Sequence, residues 1–384
     1  MYSLYKRAAL RTASPIRSSS SLLRTSPSAV SRNMHHICAP QRHASEATQA
    51  KVAEVASVRS VSTTAPLNAP LMASGMKRFK AAPAVPSRRH VYDDAATPTV
   101  LTFFEKATST WQYIVYDPVS LEAAIVDSVL DYDPASGTVS TTTADSLLSF
   151  VEDNQLNIKF ILETHAHADH LTAAQYLKQQ LGGNVQVGIG YRITQVQKTF
   201  APIYGFDDPS IFDNTFDKYF KDDEEFKLGN LGCQVIHLPG HTPDHVGYVV
   251  GKAIFTGDSI FNPDVGSARA DFPGGNVKDL FASTQRLLAY PPEYRLFVGH
   301  DYPTDREHLC STTVGEQREM NKHVKAGTEE AAFIEWRGAR DATLGAPRLL
   351  HPSLQVNIRA GKLPPTDEKG RSWFKTPIKS TLKL

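Results

Sequence analysis

The chain has 384 residues, with 41 Lys and Arg against 40 Asp and Glu, so its formal net charge is +1. That balance excludes a strongly basic nucleic-acid binder for the chain as a whole. The charge is unevenly distributed, because residues 1–92 carry a net charge of +12 and residues 93–384 a net charge of −11. No run approaches the roughly 20 apolar residues of a membrane-spanning helix, so we expect a soluble protein without a membrane partner.

The first 92 residues differ in composition from the remainder. Residues 1–45 contain seven Lys and Arg, ten serines and no acidic residue. Such a segment is typical of a mitochondrial transit peptide, and it lacks the apolar centre of a secretory signal. A disordered basic tail that binds RNA or a membrane is the alternative. We therefore predict a disordered transit peptide and linker over 1–92, a folded domain over 97–384 and a location in the mitochondrial matrix.

From Thr97 onward, short β-rich runs alternate with segments of helical spacing. The predicted strands are, in chain order, Val100–Phe104, Trp111–Tyr116, Ala123–Asp127, Ile158–Leu162, Gln234–Leu238, Val246–Val250, Ala253–Thr256 and Leu296–Val298. The predicted helices are Ala144–Asn154, Leu171–Leu181, Val277–Ala289 and Thr313–His323. This mixture favours sheets covered by helices. The acidic and aromatic segment 204–227 predicts a solvated surface held down by aromatic side chains.

Three cysteines, Cys38, Cys233 and Cys310, form no C-x-x-C pair. We therefore expect neither a disulfide framework nor a Cys-rich zinc knuckle. Cys233 lies beside a predicted strand, which predicts a place in the core.

The most specific local pattern is the hexapeptide His165-Ala166-His167-Ala168-Asp169-His170. It follows the predicted strand Ile158–Leu162, and residues two apart in an extended loop point the same way, so His165 and His167 can face one centre. We expect Asp169 and His170 to begin the next helix. Four ligand-type side chains in six residues are costly to bury without a cation, although a His-rich surface patch is the alternative.

Three further strand ends carry a metal-type ligand. His241 follows the strand Gln234–Leu238, Asp258 follows Ala253–Thr256, and His300 follows Leu296–Val298. A lone His or Asp at a strand end is more often a cap or a core hydrogen-bonding residue. Four strand ends that all offer such a side chain indicate a metal enzyme.

The motifs His-x-His-x-Asp-His, Gly-His-Thr-Pro, Thr-Gly-Asp-Ser and Gly-His-Asp-Tyr together resemble the metallo-β-lactamase superfamily. The resemblance implies an α+β fold, an αββα sandwich with metal between the sheet edges. Within the superfamily the chain resembles the persulfide dioxygenases, the glutathione-dependent sulfur dioxygenases. That finer resemblance covers about residues 97–364 and is carried by Ala268–Phe272, Gly274-Gly275, His300–Tyr302, Thr312–Arg318 and Val356–Gly361.

The resemblance to persulfide dioxygenases implies one Fe(II) per chain, held by His165, His241 and Asp258. Two His and one carboxylate form the facial triad of non-haem iron oxygenases, which leaves positions for O₂ and a persulfide sulfur. The implied reaction converts glutathione persulfide, O₂ and water into sulfite and glutathione. The remaining ligand-type residues then orient the ligands by hydrogen bonds: His167, Asp169, His170 and His300.

The resemblance also implies that Arg269, Tyr302 and Arg318 bind glutathione, whose carboxylates suit guanidinium groups. Structural ion pairing is the alternative for both arginines. We interpret Arg359 as a structural residue or as part of a dimer interface, and the sequence leaves open whether the chain forms a homodimer.

Asp244 and His245 depart from the family pattern, and we expect His245 to face solvent.

Two other functions compete with the dioxygenase. The same ligands can hold two zinc ions, as in a hydroxyacylglutathione hydrolase of the glyoxalase II kind. A non-catalytic metal- or nucleic-acid-binding relative is the third hypothesis, and the intact ligand set and the negative charge of residues 93–384 argue against it.

Overall fold

A computed structural model describes residues 81–381, so residues 1–80 of the predicted transit peptide and linker, including Cys38, lie outside the described residues. The ordered domain starts earlier than predicted. Strand β1 (Arg88–His90) pairs antiparallel with β2 (Thr99–Glu105), and the Ala84 N–H donates to the Ser146 carbonyl at 2.8 Å. The predicted boundary at Thr97 is therefore corrected. The strand was missed because a charged edge strand lacks the apolar alternation that identifies strands.

Two main sheets and one small sheet contain all the strands of the described residues. The first main sheet has the order β1-β2-β3-β4-β7-β9-β10 and adds β3 (Thr110–Tyr116), β4 (Glu122–Val126), β7 (Asn157–Leu162), β9 (Gln186–Gly190) and β10 (Lys218–Phe220). The second runs in sequence order through β11 (Glu225–Leu228), β12 (Leu231–His237), β13 (Val246–Val250), β14 (Ala253–Gly257), β15 (Arg295–Val298) and β16 (Ser311–Thr313). The small sheet joins β5 (Val129–Asp133), β6 (Thr138–Ser140) and β8 (Leu171–Thr172).

The helices cover the outer faces of the two main sheets. They are α1 (Thr142–Asp153), α2 (Ala174–Leu181), α3 (Ile193–Tyr204), α4 (Val277–Leu288), α5 (Val314–Met320), α6 (Glu330–Asp341) and α7 (Leu350–Asn357), with a short 3₁₀ helix at Pro209–Phe212. Tyr113 of the first sheet and Phe255 of the second are fully buried against each other between the sheets, with ring centroids 5.2 Å apart. Separate apolar clusters lie under α1–α3 and α7 and under α4–α6. The predicted αββα sandwich is confirmed.

One predicted helix begins later than its spacing suggests. Leu171 and Thr172 form strand β8, which pairs with Leu130 and Val129 of β5, and α2 begins at Ala174. Asp169 and His170 therefore lie in a loop and do not begin a helix. The local sequence pattern favours a helix at Leu171 and Thr172, but hydrogen bonding to a distant strand gives these residues a β conformation instead.

The topology brings the candidate ligands to one edge. Strands β4 and β7 are parallel neighbours in the first sheet, and β14 and β15 are parallel neighbours in the second. The carboxyl ends of the two pairs meet, because a Cβ on Gly257, the last residue of β14, would lie 2.5 Å from the hydroxyl of Thr164, which follows β7.

Two smaller predictions about side chains are confirmed. In segment 204–227 the aromatic side chains of Phe206, Phe216 and Phe220 are buried, and Cys233 is a core residue.

Among the described residues, no helix has the length and apolar character needed to cross a bilayer.

Candidate metal centre

His165 has one ring nitrogen without a hydrogen-bond partner, at the place where the carboxyl ends of the strands meet. Its Nδ1 lies 3.0 Å from the Thr164 hydroxyl, and that hydroxyl donates to the Asp127 carboxylate at 2.9 Å. The His165 Nδ1–H is therefore the donor to Thr164, which leaves the buried Nε2 without a partner. Burial and the neighbouring imidazoles hold the pKa of His165 well below its ordinary value, so the ring is a neutral ligand.

His241 and Asp258 complete a group around that nitrogen. The Nδ1–H of His241 donates to the Arg269 carbonyl at 2.8 Å, so its Nε2 faces the centre, 3.7 Å from Asp258 Oδ2. Asp258 Oδ1 is buried and has no hydrogen-bond partner. One ligand atom each from His165, His241 and Asp258 lies within 4.8 Å of the others.

His167 belongs to a different cluster. Its Nε2 lies 3.1 Å from Asp127 Oδ1 and 3.2 Å from Glu163 Oε2, and all three side chains are buried. Burial alone lowers the pKa of His167, but the two carboxylates outweigh it and raise that pKa well above the ordinary value. Without a bound cation His167 is therefore protonated, whereas its neighbour His165 is neutral.

Asp169, His170 and His300 form the other side of the centre. The Asp169 carboxylate lies 3.1 Å from His170 Nδ1 and 3.2 Å from His300 Nε2. The opposite nitrogen of His300 donates to the Ser109 carbonyl at 3.0 Å, and His170 Nε2 is buried without a partner. Burial lowers the pKa of His300, but the carboxylates of Asp258 and Asp169 raise it above its ordinary value.

These contacts fit a bound metal ion. Buried polar atoms are normally hydrogen-bonded, yet four ligand atoms in this region have no hydrogen-bond partner in the protein: His165 Nε2, His167 Nδ1, His170 Nε2 and Asp258 Oδ1. The other nitrogen of each imidazole lies against a hydroxyl or carboxylate group, the usual outer support of a metal-bound histidine. Imidazole and carboxylate donors suit both iron and zinc, so the donor set supports metal binding without choosing between them.

His245 does not face solvent, which corrects the sequence-based expectation. The ring is completely buried, its Nε2 accepts a hydrogen bond from the Asp258 N–H at 2.9 Å, and it stacks on His165 with ring centroids 4.7 Å apart. Burial and the nearby His241 and His167 hold the pKa of His245 well below its ordinary value. The neutral ring can therefore accept this hydrogen bond. His245 thus contacts two candidate ligands, His165 and Asp258, and helps to hold both in place.

A cavity of about 620 Å³ opens onto this centre. Asp169, His241 and Asp258 line its inner wall, and two of the predicted glutathione-binding residues, Arg269 and Tyr302, also line it. The Tyr302 ring is half exposed and stacks on His300 with centroids 5.8 Å apart. The Arg269 guanidinium donates to both Asp271 oxygens, at 2.6 and 2.8 Å, so much of its charge is already compensated.

The outer wall of this cavity is basic. Exposed Lys322, Arg340 and Arg348 line it, and Arg340 donates to the neutral Thr343 hydroxyl at 3.3 Å. Within the described part of the chain, none of these three side chains forms an ion pair. Because no carboxylate of the described residues lies within ion-pair distance of them, their positive charges favour a ligand that carries negative groups away from the metal.

Arg318 lies away from this cavity, in contrast to the sequence-based assignment. Its guanidinium donates to the carbonyls of Leu288 and Tyr290, each at 2.6 Å, and so ties α5 to the end of α4. The structure gives Arg318 a structural role, and the substrate-binding assignment is corrected. Arg359 is structural as well, because it donates to the Leu363 carbonyl at 2.7 Å and lies over the Phe206 ring.

The fold and these ligands define a member of a known superfamily. The model of the metallo-beta-lactamase superfamily matches residues 122–300. Glyoxylase B2 of Dictyostelium discoideum is 45% identical over 72% of this chain and 95% of its own length. The chain belongs to the metallo-β-lactamase superfamily.

Other similarities are broader or more distant. A beta-lactamase hydrolase-like protein of Xylella fastidiosa is 44% identical over 73% of this chain, and the chain spans 65% of that relative's length. The mitochondrial persulfide dioxygenase ETHE1 of Homo sapiens is 26% identical over 68% of this chain and 89% of its own. The crystal structure of ETHE1 from Myxococcus xanthus superposes with a TM-score of 0.55 and 26% identity, over 68% of this chain and 98% of that one.

Several residues that build the centre were missed from the sequence. Asp127 ended a predicted strand, and a carboxylate at a strand end was a usable signal. Glu163 and Thr164 lie between a strand and the hexapeptide, where nothing in the pattern marks them as buried partners. The basic wall from Lys322 to Arg348 had no signal, because exposed cations are common in any sequence.

Proposed function

We propose that the protein is an iron-dependent persulfide dioxygenase of the mitochondrial matrix. In the proposed reaction, glutathione persulfide, O₂ and water yield glutathione, sulfite and two protons. The outer sulfur is oxidised and O₂ is reduced, so no external electron donor is needed.

The observation that carries this proposal is the grouping of the ligand atoms. Atoms of His165, His241 and Asp258 converge as a two-histidine, one-carboxylate set. His167 does not belong to this set, because its Nε2 contacts the carboxylates of Asp127 and Glu163. Such a three-ligand set is the arrangement that non-haem iron oxygenases use, because it leaves coordination positions open. Bound iron supplies the ability to activate O₂ toward the persulfide sulfur.

The cavity supports an anionic thiol-derived substrate. Glutathione carries two carboxylates at its ends, and Lys322, Arg340 and Arg348 offer positive charge on the outer wall without an ion-pair partner among the described residues. Charge-assisted hydrogen bonds from these groups would hold the peptide part and direct the sulfur inward. Tyr302, stacked on His300, lines the same cavity and is proposed to contact the substrate.

A di-zinc hydroxyacylglutathione hydrolase is the second candidate. A second group of ligand atoms, from His167, Asp169 and His170, also lies within 4.8 Å, which favours a two-metal arrangement. The name of the Dictyostelium relative, Glyoxylase B2, points the same way. Both candidates use a glutathione conjugate, so the cavity does not discriminate between them.

Metal analysis combined with two assays on the full chain separates the candidates. The protein is purified anaerobically, its iron and zinc are measured, and O₂ uptake on glutathione persulfide is compared with S-lactoylglutathione cleavage. We expect about one iron per chain and O₂ uptake matched by sulfite release. Two zinc ions with thioester cleavage and no O₂ uptake would replace the dioxygenase with the hydrolase.

Import into mitochondria is tested separately. The full chain is incubated with energised isolated mitochondria, and the protected product is identified by its amino terminus. We expect cleavage before Ala81, because the Ala81 carbonyl already accepts a hydrogen bond from Ser149 at 2.9 Å in the folded domain. A chain that stays outside and remains protease-sensitive would overturn the proposed location. Replacement of Arg7, Arg11 and Arg17 by Glu is the matched control and should block import.

A further inference from the structure

A single buried amide from the last helix contacts the ligand hexapeptide at two points. The Asn357 side chain, 3% exposed, donates through Nδ2 to the carbonyls of His167 at 2.8 Å and His170 at 2.7 Å. Its Oδ1 accepts from the Thr172 N–H at 2.9 Å. Both donor hydrogens and one acceptor site of this side chain are therefore used on the backbone of the candidate ligand loop and its exit.

The residues after Asn357 extend the same contact. The Gln175 N–H donates to the Ala360 carbonyl at 3.1 Å, and Gln197 donates to the Ile358 carbonyl at 2.9 Å. Gly361 has a φ of +100°, and a Cβ there would approach the Thr172 carbonyl to 3.0 Å. The segment 357–361 thus contacts the loop through Asn357 and contacts the residues that follow the loop, and none of its residues lines the metal cavity.

We propose that Asn357 is a positioning residue for the metal centre, which fixes the turn from His167 to His170 so that Asp169 and His170 keep their places. The two carbonyls that it joins belong to residues three apart, and one planar NH₂ group sets their separation. Ligand loops hold metal tightly when their outer contacts keep them preorganised. The proposal rests on metal binding at this centre and not on which reaction follows.

Gln355 provides a matched control on the same helix. It is completely buried, donates through Nε2 to the carbonyls of His351 at 2.7 Å and Lys375 at 3.0 Å, and accepts from the Lys375 N–H at 2.9 Å. Its bonds have the same number and type as those of Asn357, but they hold the C-terminal segment. Asn357→Asp and Gln355→Glu each replace a buried amide, whose NH₂ group donates to two carbonyls, with a carboxyl group. Only Asn357 contacts the ligand loop.

The experiment compares metal affinity and metal spectrum in the two variants. Affinity for Zn²⁺ is measured by chelator competition, and the ligand field by the visible spectrum of the Co²⁺-substituted full-length protein. We expect Asn357→Asp to weaken metal binding at least tenfold and to shift the Co²⁺ spectrum, whereas Gln355→Glu leaves both unchanged despite a lower Tm. Equal affinities and spectra in the two folded variants would mean that Asn357 is only structural.

A measurement on the unmodified protein covers the case in which Asn357→Asp does not fold. Coupling between two sites is reciprocal, so a contact that strengthens metal binding must itself be strengthened by the metal. Hydrogen exchange is followed with and without Zn²⁺. We expect the metal to slow exchange at Ala360 and Gly361 and not at Lys375. Unchanged exchange over 357–361 would overturn the proposal.

Discussion

The backbone N–H of Asp258 donates to Nε2 of His245 at 2.9 Å, in the completely buried space behind the candidate metal ligands. Because the same ring stacks on His165, one side chain supports a carboxylate ligand and an imidazole ligand from different strands. The ring must remain neutral to accept the hydrogen bond, and its lowered pKa satisfies that condition. His245 therefore links the two main sheets at the centre.

Replacement of His245 by Phe should weaken metal binding. Phe keeps the ring stacked on His165 but cannot accept from Asp258, so a buried N–H loses its partner. We expect a tenfold or greater loss of Zn²⁺ affinity in chelator competition. His90→Phe is the control, since the His90 ring also contacts an aromatic ring, packing edge-on against Phe297, but lies on the edge strand β1. A variant that binds metal as tightly as His90→Phe would contradict the role given to His245.

Two carboxylate variants should distinguish a one-metal from a two-metal centre. Asp258→Ala removes a member of the proposed iron triad and should abolish iron binding and turnover. Asp169→Asn removes a carboxylate that contacts His170 and His300, and it should leave about one iron per chain. Metal analysis after dialysis checks both variants. Full iron occupancy in Asp258→Ala would refute the triad, and loss of one of two metal ions in Asp169→Asn would support the hydrolase.

The basic wall should determine affinity for an anionic substrate. Arg348→Ala should raise KM for a glutathione-based substrate several-fold with little change in kcat, because the lost charge lies on the outer wall. The control is Arg371→Ala, an exposed arginine that pairs with Asp367 in the C-terminal segment. Steady-state kinetics at two salt concentrations checks the effect, which should shrink at high salt. A KM equal to that of Arg371→Ala would remove Arg348 from the binding site.

Arg318 should matter for stability and not for substrate binding. Its guanidinium donates to the carbonyls of Leu288 and Tyr290, so Arg318→Ala leaves both without that partner. We expect the free energy of unfolding to fall by about 1–3 kcal/mol, while KM stays unchanged. Thermal denaturation and kinetics on the same preparation check this pair of outcomes. A selective rise in KM would restore the substrate-binding role predicted from the sequence.

His323 should make the protein less stable in mild acid. Burial and the charges of Lys322 and Arg337 lower the pKa of His323 from 6.5 to about 4, and its Nδ1 accepts from the Ser267 N–H at 3.0 Å. The unfolded chain binds this proton more readily, so the stabilisation is complete above about pH 6.5 and declines toward pH 4. Comparison of Tm with His323→Phe across this range checks the sign. The Tm advantage of the unmodified protein should shrink as pH falls, and an advantage that grows would show the opposite linkage.

Local sequence predicted much of the framework because its signals are local. The strands that end near His241, Asp258 and His300 were recognisable from apolar runs, and the ligands follow them directly. Strand β8 was read as helix, and β1 was missed, because each exists through pairing with a distant strand. A motif led to the prediction that Arg318 binds substrate. The direction of its side chain, however, depends on hydrogen bonds to the Leu288 and Tyr290 carbonyls, 30 and 28 residues earlier in the chain.

The sequence by itself indicated the superfamily through the motifs that resemble it, and it placed the candidate ligands at strand ends, since spacing along the chain carries that second piece of information. Only the tertiary structure decided which ligands converge, that His245 is buried behind Asp258, and that Asn357 holds the ligand loop. These are contacts between residues far apart in the chain, and burial changes their protonation and hydrogen bonding. The net charge of +1 likewise carried no information about the cavity, whose basic outer wall is assembled from exposed side chains that only the fold brings together.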